Sequence, residues 1–418
     1  MKKLGFLLSM LIVLSLLAAG CGSGNSSQNA SATNSSDSTA KKHLKLWFYW
    51  EGKDRFDEVK KLTDGFTAKN PNIEVDPVYV PFADFKKRLS IGLASSDLPD
   101  IVIIDNPDQA AYAKLGLFAD ITDKLADWKD KDEYFPGPWK SVTYNNKIYG
   151  IPLGSNDLAL FYNEAMLQKA GVKPPQTWDE LRAAAKKLTG NGVTGFGQSA
   201  TASEEGTFQF LPWLLSAGGN YNTIGNGSGA KALGLLTDLI QDGSMSKDVI
   251  NWTQSDVEKQ FAAGNIAMML NGPWQLPTLA SDAPNLKYGI ALIPKDKKYA
   301  SVLGGENLGV VNGPNVDEAV QFIKYVASPD VNKQFLIKFG YFPARKDLAQ
   351  DAYWQDNPKL KVFAESLQTA EPRGPSPQWP EISQVIYNAM QLSLTGESTP
   401  QAAATDAQTK INAIINQK

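Results

Sequence analysis

Pro99-Asp100-Ile101-Val102-Ile103-Ile104-Asp105-Asn106 carries the reading on which the fold turns. Four consecutive β-branched apolar residues leave no polar face, the pattern of a strand covered on both sides. The segments before it agree. Leu44 to Trp50 is an earlier apolar run, and Phe56, Val59, Leu62 and Phe66 recur at helical spacing until Asn70-Pro71 stops them. Ile73 to Val80 reads as a second strand broken at Pro81, and Phe82, Phe85, Leu89 and Leu93 mark a second helix. This β-α-β-α-β order predicts a parallel sheet with helices on both faces. Open α/β sheets bind ligands beyond the carboxyl ends of their strands. Trp50-Glu51 and Asp105-Asn106 stand at two such ends.

The run Trp47-Phe48-Tyr49-Trp50 has two readings, since strand aromatics usually pack in a core but also make flat platforms for a ligand. Strand alternation sends Phe48 and Trp50 one way and Trp47 and Tyr49 the other. Only the carboxyl end reaches a cleft, so Trp50 and Glu51 are its expected members, with Tyr49 behind them. Trp47 and Phe48 are expected to hold the sheet.

Farther along, Tyr144 to Pro152 reads as a hairpin turning at Asn145-Asn146-Lys147, and Leu158 to Asn163 as a strand. A second α/β series follows. Thr177-Trp178-Asp179-Glu180 is a capping box, and helices are expected at about Phe208–Ala217 and Ala230–Gln241. Ser255-Asp256-Val257-Glu258 opens another helix, and Ile266 to Leu270 is a strand running into Asn271-Gly272-Pro273-Trp274. From Val316 the pattern is helical, interrupted by the proline-rich loop Pro372 to Pro380 around Trp379.

The ends bear on location. Lys2-Lys3, the apolar stretch Leu4 to Leu17 and the small residues Ala18-Ala19-Gly20 make a secretory signal over 1–20. It meets Cys21, the single cysteine, in an arrangement resembling a bacterial lipobox, which implies lipidation of Cys21. The Ser/Asn/Thr/Ala/Gly-rich segment after it cannot bury enough apolar surface to order itself, so 21–42 is expected to be a tether. The protein is therefore expected at the extracellular face of a bacterial cell membrane. A formal net charge of −3, mixed along the chain, excludes the basic field that nucleic acid requires.

The body resembles the extracellular solute-binding family typified by maltose-binding protein, the capture subunit of ABC sugar importers. The resemblance runs in order through the first strand with its aromatic end, Pro99-Asp100-Ile101-Val102, Leu160-Phe161-Tyr162-Asn163-Glu164 and Ala267 to Trp274. It continues through Gly304-Gly305, Asn307-Leu308-Gly309 and Gly340-Tyr341-Phe342-Pro343-Ala344-Arg345. It implies an α/β, two-lobed periplasmic-binding-protein fold (type II), with hinge strands joining the lobes and the ligand cleft between them. The N-terminal lobe is expected over 43–157 and 290–328, the C-terminal lobe over 158–289 and 329–418. Crossings are implied near Leu158–Tyr162, Tyr288–Ile293 and Ser328–Asp330.

Carried over position by position, the family's binding elements fall on Tyr49, Trp50 and Glu51, on Asp105 and Asn106, and on Asn156 and Asp157. In the second lobe they fall on Phe208, with Trp213 nearby, on Trp274 and on Trp379. The Gly-Gly loop contributes Gly304, Gly305 and Glu306. Two departures set limits. The charged pair of maltodextrin binders is missing near Pro107, and Arg373 in Glu371-Pro372-Arg373-Gly374-Pro375 adds a cation, so maltose itself is not implied. The resemblance also implies an oligosaccharide ligand, an ABC permease as partner and a monomer without cofactor or metal.

These residue types suit a sugar. Indole and phenol rings match the C–H face of a pyranose, and carboxylates and amides serve its hydroxyls. Glu51, Asp105, Asp157 and Glu306 could in principle flank a glycosidic bond, but no spacing singles out a pair. One histidine and one cysteine leave few nucleophile–base arrangements, so no enzyme is expected. Polyamines or glycerol phosphates remain alternative solutes, the latter through Arg373 and Arg345.

Overall fold

The computed structural model describes residues 41–374 and 376–417. The expected signal segment and Cys21 lie outside the described residues. Of the tether expected over 21–42, residues 21–40 likewise lie outside the described residues, and Lys42 already opens the first strand. The strands that position the site are β1 (Lys42–Phe48), β2 (Ile73–Tyr79), β3 (Ile101–Asp105), β4 (Gly150–Pro152), β5 (Ala159–Asn163), β6 (Met268–Asn271), β7 (Tyr288–Ala291), β8 (Ser301–Leu303), β9 (Glu306–Val310) and β10 (Ala370–Pro372).

The first sheet runs β2-β1-β3-β9-β4, with β1 parallel to both neighbours and β9 antiparallel to β3 and β4. All five residues of β3 are buried, as its unbroken apolar run requires. The aromatic run divides by parity. Leu46 and Phe48 join one core cluster, Trp47 and Tyr49 the cluster on the opposite face. Trp47 also lies under Arg88, 4.5 Å from its guanidinium carbon. The hairpin is present as well: Asn145 and Asn146 turn with φ of +49° and +60°, which the short polar Asn side chain tolerates.

The second sheet, β6-β5-β7, is antiparallel, and a two-stranded ladder of β8 and β10 stands apart from both sheets. The helix Glu204–Ser216 is buried along nearly its whole length, which offsets the helix-breaking tendency of Pro212 within it. Trp213 there packs against Trp178 and Phe196, ring centroids 6.1 Å away in each case.

Asn156 and Gly304 bridge the two passing chains, and Ser155 pairs with Phe342. A Cβ on Gly304 would collide with Asn156 Oδ1, and Gly305 sits at φ +138° against the Gly154 carbonyl. Both positions require glycine because backbones pass so closely. Strand pairing and packing bear on two of the expected passages. β7 lies within the second sheet, so the chain leaves that sheet only after Ala291. The helix Pro329–Phe339 follows Ser328 directly, and Asn332 within it donates to the Leu153 carbonyl beside β4. Residues 329–339 therefore stay with the first sheet.

Candidate functional site

A cavity of about 610 Å³ is lined from both sheets' segments. Tyr49, Trp50 and Glu51 enter it from the carboxyl end of β1, Asp105 from the end of β3 and Glu306 from the start of β9. Asn156, Phe208, Trp274 and Arg373 complete the part anticipated from sequence.

Glu306 is a buried carboxyl of this cavity. Tyr49 and Tyr341 hydroxyls donate to its Oε1 at 3.3 and 2.9 Å, and Trp50 Nε1 donates to the Tyr341 hydroxyl at 2.9 Å. Its Oε2 is buried with no partner. Glu306 and Asp105 are cross-strand neighbours. Burial, with the Asp105 charge adding to it, pushes Glu306 up to about 8. A carboxyl raised in the fold stabilises it at low pH, and that contribution is lost as pH climbs from the unfolded value towards 8. Glu306→Gln is therefore expected to be near neutral at pH 5 and to stabilise the ligand-free protein at pH 9 by about 2 kcal/mol. Urea unfolding of both proteins at the two pH values checks this, and an equal effect at both refutes it.

Beside Glu306 lies a buried ionic network. Arg373, 3% exposed, makes a two-pronged pair with Asp105 (2.6 Å to each oxygen) and reaches Glu204 Oε1 at 2.8 Å. Its guanidinium also lies over the Phe208 ring at 4.4 Å. Lys86 stands 2.9 Å from Asp108 and 3.5 Å from Glu204. Burial works against the charge on Glu204, but Lys86 and Arg373 overcome it and hold the group below its ordinary range. Burial pushes Asp108 up to about 7 although Lys86 opposes it. With a proton on Asp108, two carboxylates face two cations. The contacts Lys86–Glu204 and Arg373–Asp105 tie the first sheet and its helix Phe82–Ser95 to the helix Glu204–Ser216 and to the residue after β10.

Six expected residues do not line the cavity. Trp379 is not on a cleft loop: it begins the helix Trp379–Thr395, with Pro380 at a position that suits a helix start, and is fully buried. Its Nε1 donates to Glu204 Oε1 at 3.0 Å, so it steadies the network from behind. Trp213 is core, its Nε1 given to Gln198 at 2.8 Å. Asp157 is wholly buried with both carboxyl oxygens unpartnered, and burial pushes it well above the carboxylate range. Asn106 stands behind Arg373, 3.4 Å from Nη2. Gly304 and Gly305 shape the crossing rather than the cavity wall.

Sequence reasoning missed Glu204, Glu205, Arg55 and Tyr341. Glu204 and Glu205 open a helix that begins four residues before the expected start, and two acids after Ser203 were the available signal. Burial pushes Glu205 up to about 7, with the Gln254 amide pulling against it and Asp256 and Glu51 adding to it. Arg55 donates to the carbonyls of Trp274 (2.7 Å) and Lys338 (3.0 Å), which fixes the turn carrying Trp274.

The family model for bacterial extracellular solute-binding proteins matches residues 61–362. The chain belongs to this family. A putative binding protein of Brucella abortus is 28% identical to this solute-binding protein over 86% of the chain and 89% of the relative. The galactooligosaccharide-binding protein of Bacillus subtilis is 24% identical, covering 96% and 94%. An ABC transporter solute-binding protein of Thermotoga lettingae, solved with α-D-tagatose, superposes with a TM-score of 0.83 at 30% identity, covering 90% of this chain and all of that one. The fold of this solute-binding protein is thus the two-lobed one.

Proposed function

We propose that this solute-binding protein is the capture subunit of an ABC importer and takes an oligosaccharide into the cleft by hinge closure. The observation that carries the reading is the cavity itself: Trp50, Tyr79, Phe208 and Trp274 line it together with several carboxyl groups. That combination matches alternating C–H faces and hydroxyl rims. The tagatose-bound and galactooligosaccharide-binding relatives support a sugar. Closure brings Glu204 to Lys86 and delivers the loaded form to a permease. In the same reading Cys21 carries the lipid, the body acts as a monomer outside the membrane, and the first lobe includes 306–339.

The glycerol phosphate alternative loses both of its cations: Arg373 is neutralised by Asp105 and Glu204, and Arg345 pairs with Asp130 and Asp347 away from the cavity lining. Catalysis is no part of the proposal. Titrating the protein with mono- to tetrasaccharides, followed by tryptophan fluorescence and calorimetry, is expected to give saturable binding of one saccharide class with a negative heat-capacity change. Absence of binding across the panel, or repeated turnover of a bound oligosaccharide, would refute the reading.

A further inference from the structure

Resting on the saccharide reading above, we propose that the solute carries a protonated amino group seated against Glu306, so that the preferred ligand is an amino sugar. The first observation is the charge around the cavity. Seven of its lining residues are acidic and three are basic. Neither arginine is available to an anion, and the third base, Lys259, is an exposed side chain beside an acid. Arg373 lies between Asp105 and Glu204, Arg55 donates to two backbone carbonyls, and Lys259 stands 3.6 Å from Asp256.

The second observation is independent of the count. Glu306 is 6% exposed and lines the cavity, both of its tyrosine donors go to Oε1, and Oε2 has no partner. A buried acceptor left unpaired is costly unless something supplies the missing donor. Asp105, its neighbour, shows how the fold treats a carboxylate that it neutralises itself: a two-pronged arginine. Glu306 has only neutral donors. Among the described residues, neither Glu306 nor Glu205 has an ion-pair partner.

An ammonium group supplies both a donor and the countercharge that lets the buried Glu306 carboxyl ionise, whereas a hydroxyl supplies a donor alone. The surrounding rings suit the same ligand. Tyr49 and Trp50, with centroids 5.8 Å apart, place aromatic faces at the same strand end, and such faces attract cations while stacking on a sugar. Glu205, a second carboxyl of the lining, adds to a field that becomes negative as either group ionises. An anionic sugar meets that field unfavourably, which gives discrimination by repulsion as well as attraction.

The test uses the full chain and a panel in which each sugar is present in three forms: amine, N-acetylated amine and hydroxyl. Glucosamine, galactosamine and mannosamine with their β-1,4-linked dimers are the probes, and spermidine is the amine without a sugar. For the stereoisomer that binds, the amine form is expected to bind about tenfold tighter than either neutral form at pH 7 and low salt. That ratio is expected to shrink as salt rises. Glu306→Gln is expected to bring the ratio to about one, and Glu205→Gln to lower it about threefold. Neutral forms binding as well as amines overturn this inference while leaving the saccharide reading in place. Spermidine binding more tightly than every sugar, or no sugar binding at all, overturns both.

Discussion

Replacing Arg373 by methionine is expected to lower stability by about 3–5 kcal/mol, the range for removing one partner of a buried ion pair. The substituted side chain fills much of the same volume over Phe208, so the loss is electrostatic rather than a cavity. Asp105 and Glu204 are then left buried without their shared cation. Lys86 remains for Glu204 only at 3.5 Å. The pH dependence has a definite sign. Burial already raises Asp105 despite Arg373, and without the arginine its ionised form is less favourable still. The deficit should therefore be largest above pH 7 and shrink towards pH 4, where both carboxyls take up protons. Urea unfolding of wild type and variant across that range measures it. A loss below about 1 kcal/mol at pH 8 would mean that the network rearranges around a water-filled site, and that Arg373 does not hold it together.

The same residue shows how far a linear sequence can be read. Arg373 stood out as an unexpected cation, but its partners lie 268 and 169 positions away, and no local pattern announces such a meeting. What local pattern does announce was read well. The all-buried β3 follows from its unbroken β-branched run, and the opposite facing of Trp47 and Phe48 follows from strand parity. The helix holding Phe208 was placed four residues late because periodic apolar spacing starts there, whereas the helix itself starts at its acidic first turn. That shift hid Glu204 and Glu205. Lobe passages were harder still. A chain crossing between lobes keeps the same strand and helix texture on both sides, so β7 and the helix Pro329–Phe339 gave no sign of which sheet they join.

Trp274 and Trp379 looked alike in sequence, each beside a proline in a turn, and the structure separates them into opposite expectations. Trp274 is half-buried and lines the cavity, its ring centroid 6.1 Å from that of Phe208 and its carbonyl held by Arg55. Trp274→Ala is expected to weaken sugar binding by about 2–4 kcal/mol, as for a central aromatic anchor, while unfolding changes by less than about 1 kcal/mol. Trp379 is fully buried in the core cluster that holds Trp213, and donates to Glu204. Truncating it removes a large core side chain and an indole donor to a buried carboxylate, so Trp379→Ala is expected to lose about 3–5 kcal/mol of stability. Trp379→Phe keeps most of the packing and loses the donor alone, which should reduce the loss to about 1–3 kcal/mol. Calorimetric titration with the bound sugar and urea unfolding on the same three variants read both quantities. If Trp379→Ala folds as stably as wild type but binds poorly, the helix start at Trp379 must open towards the cleft. Trp379 would then belong with Trp274 as a wall of the site.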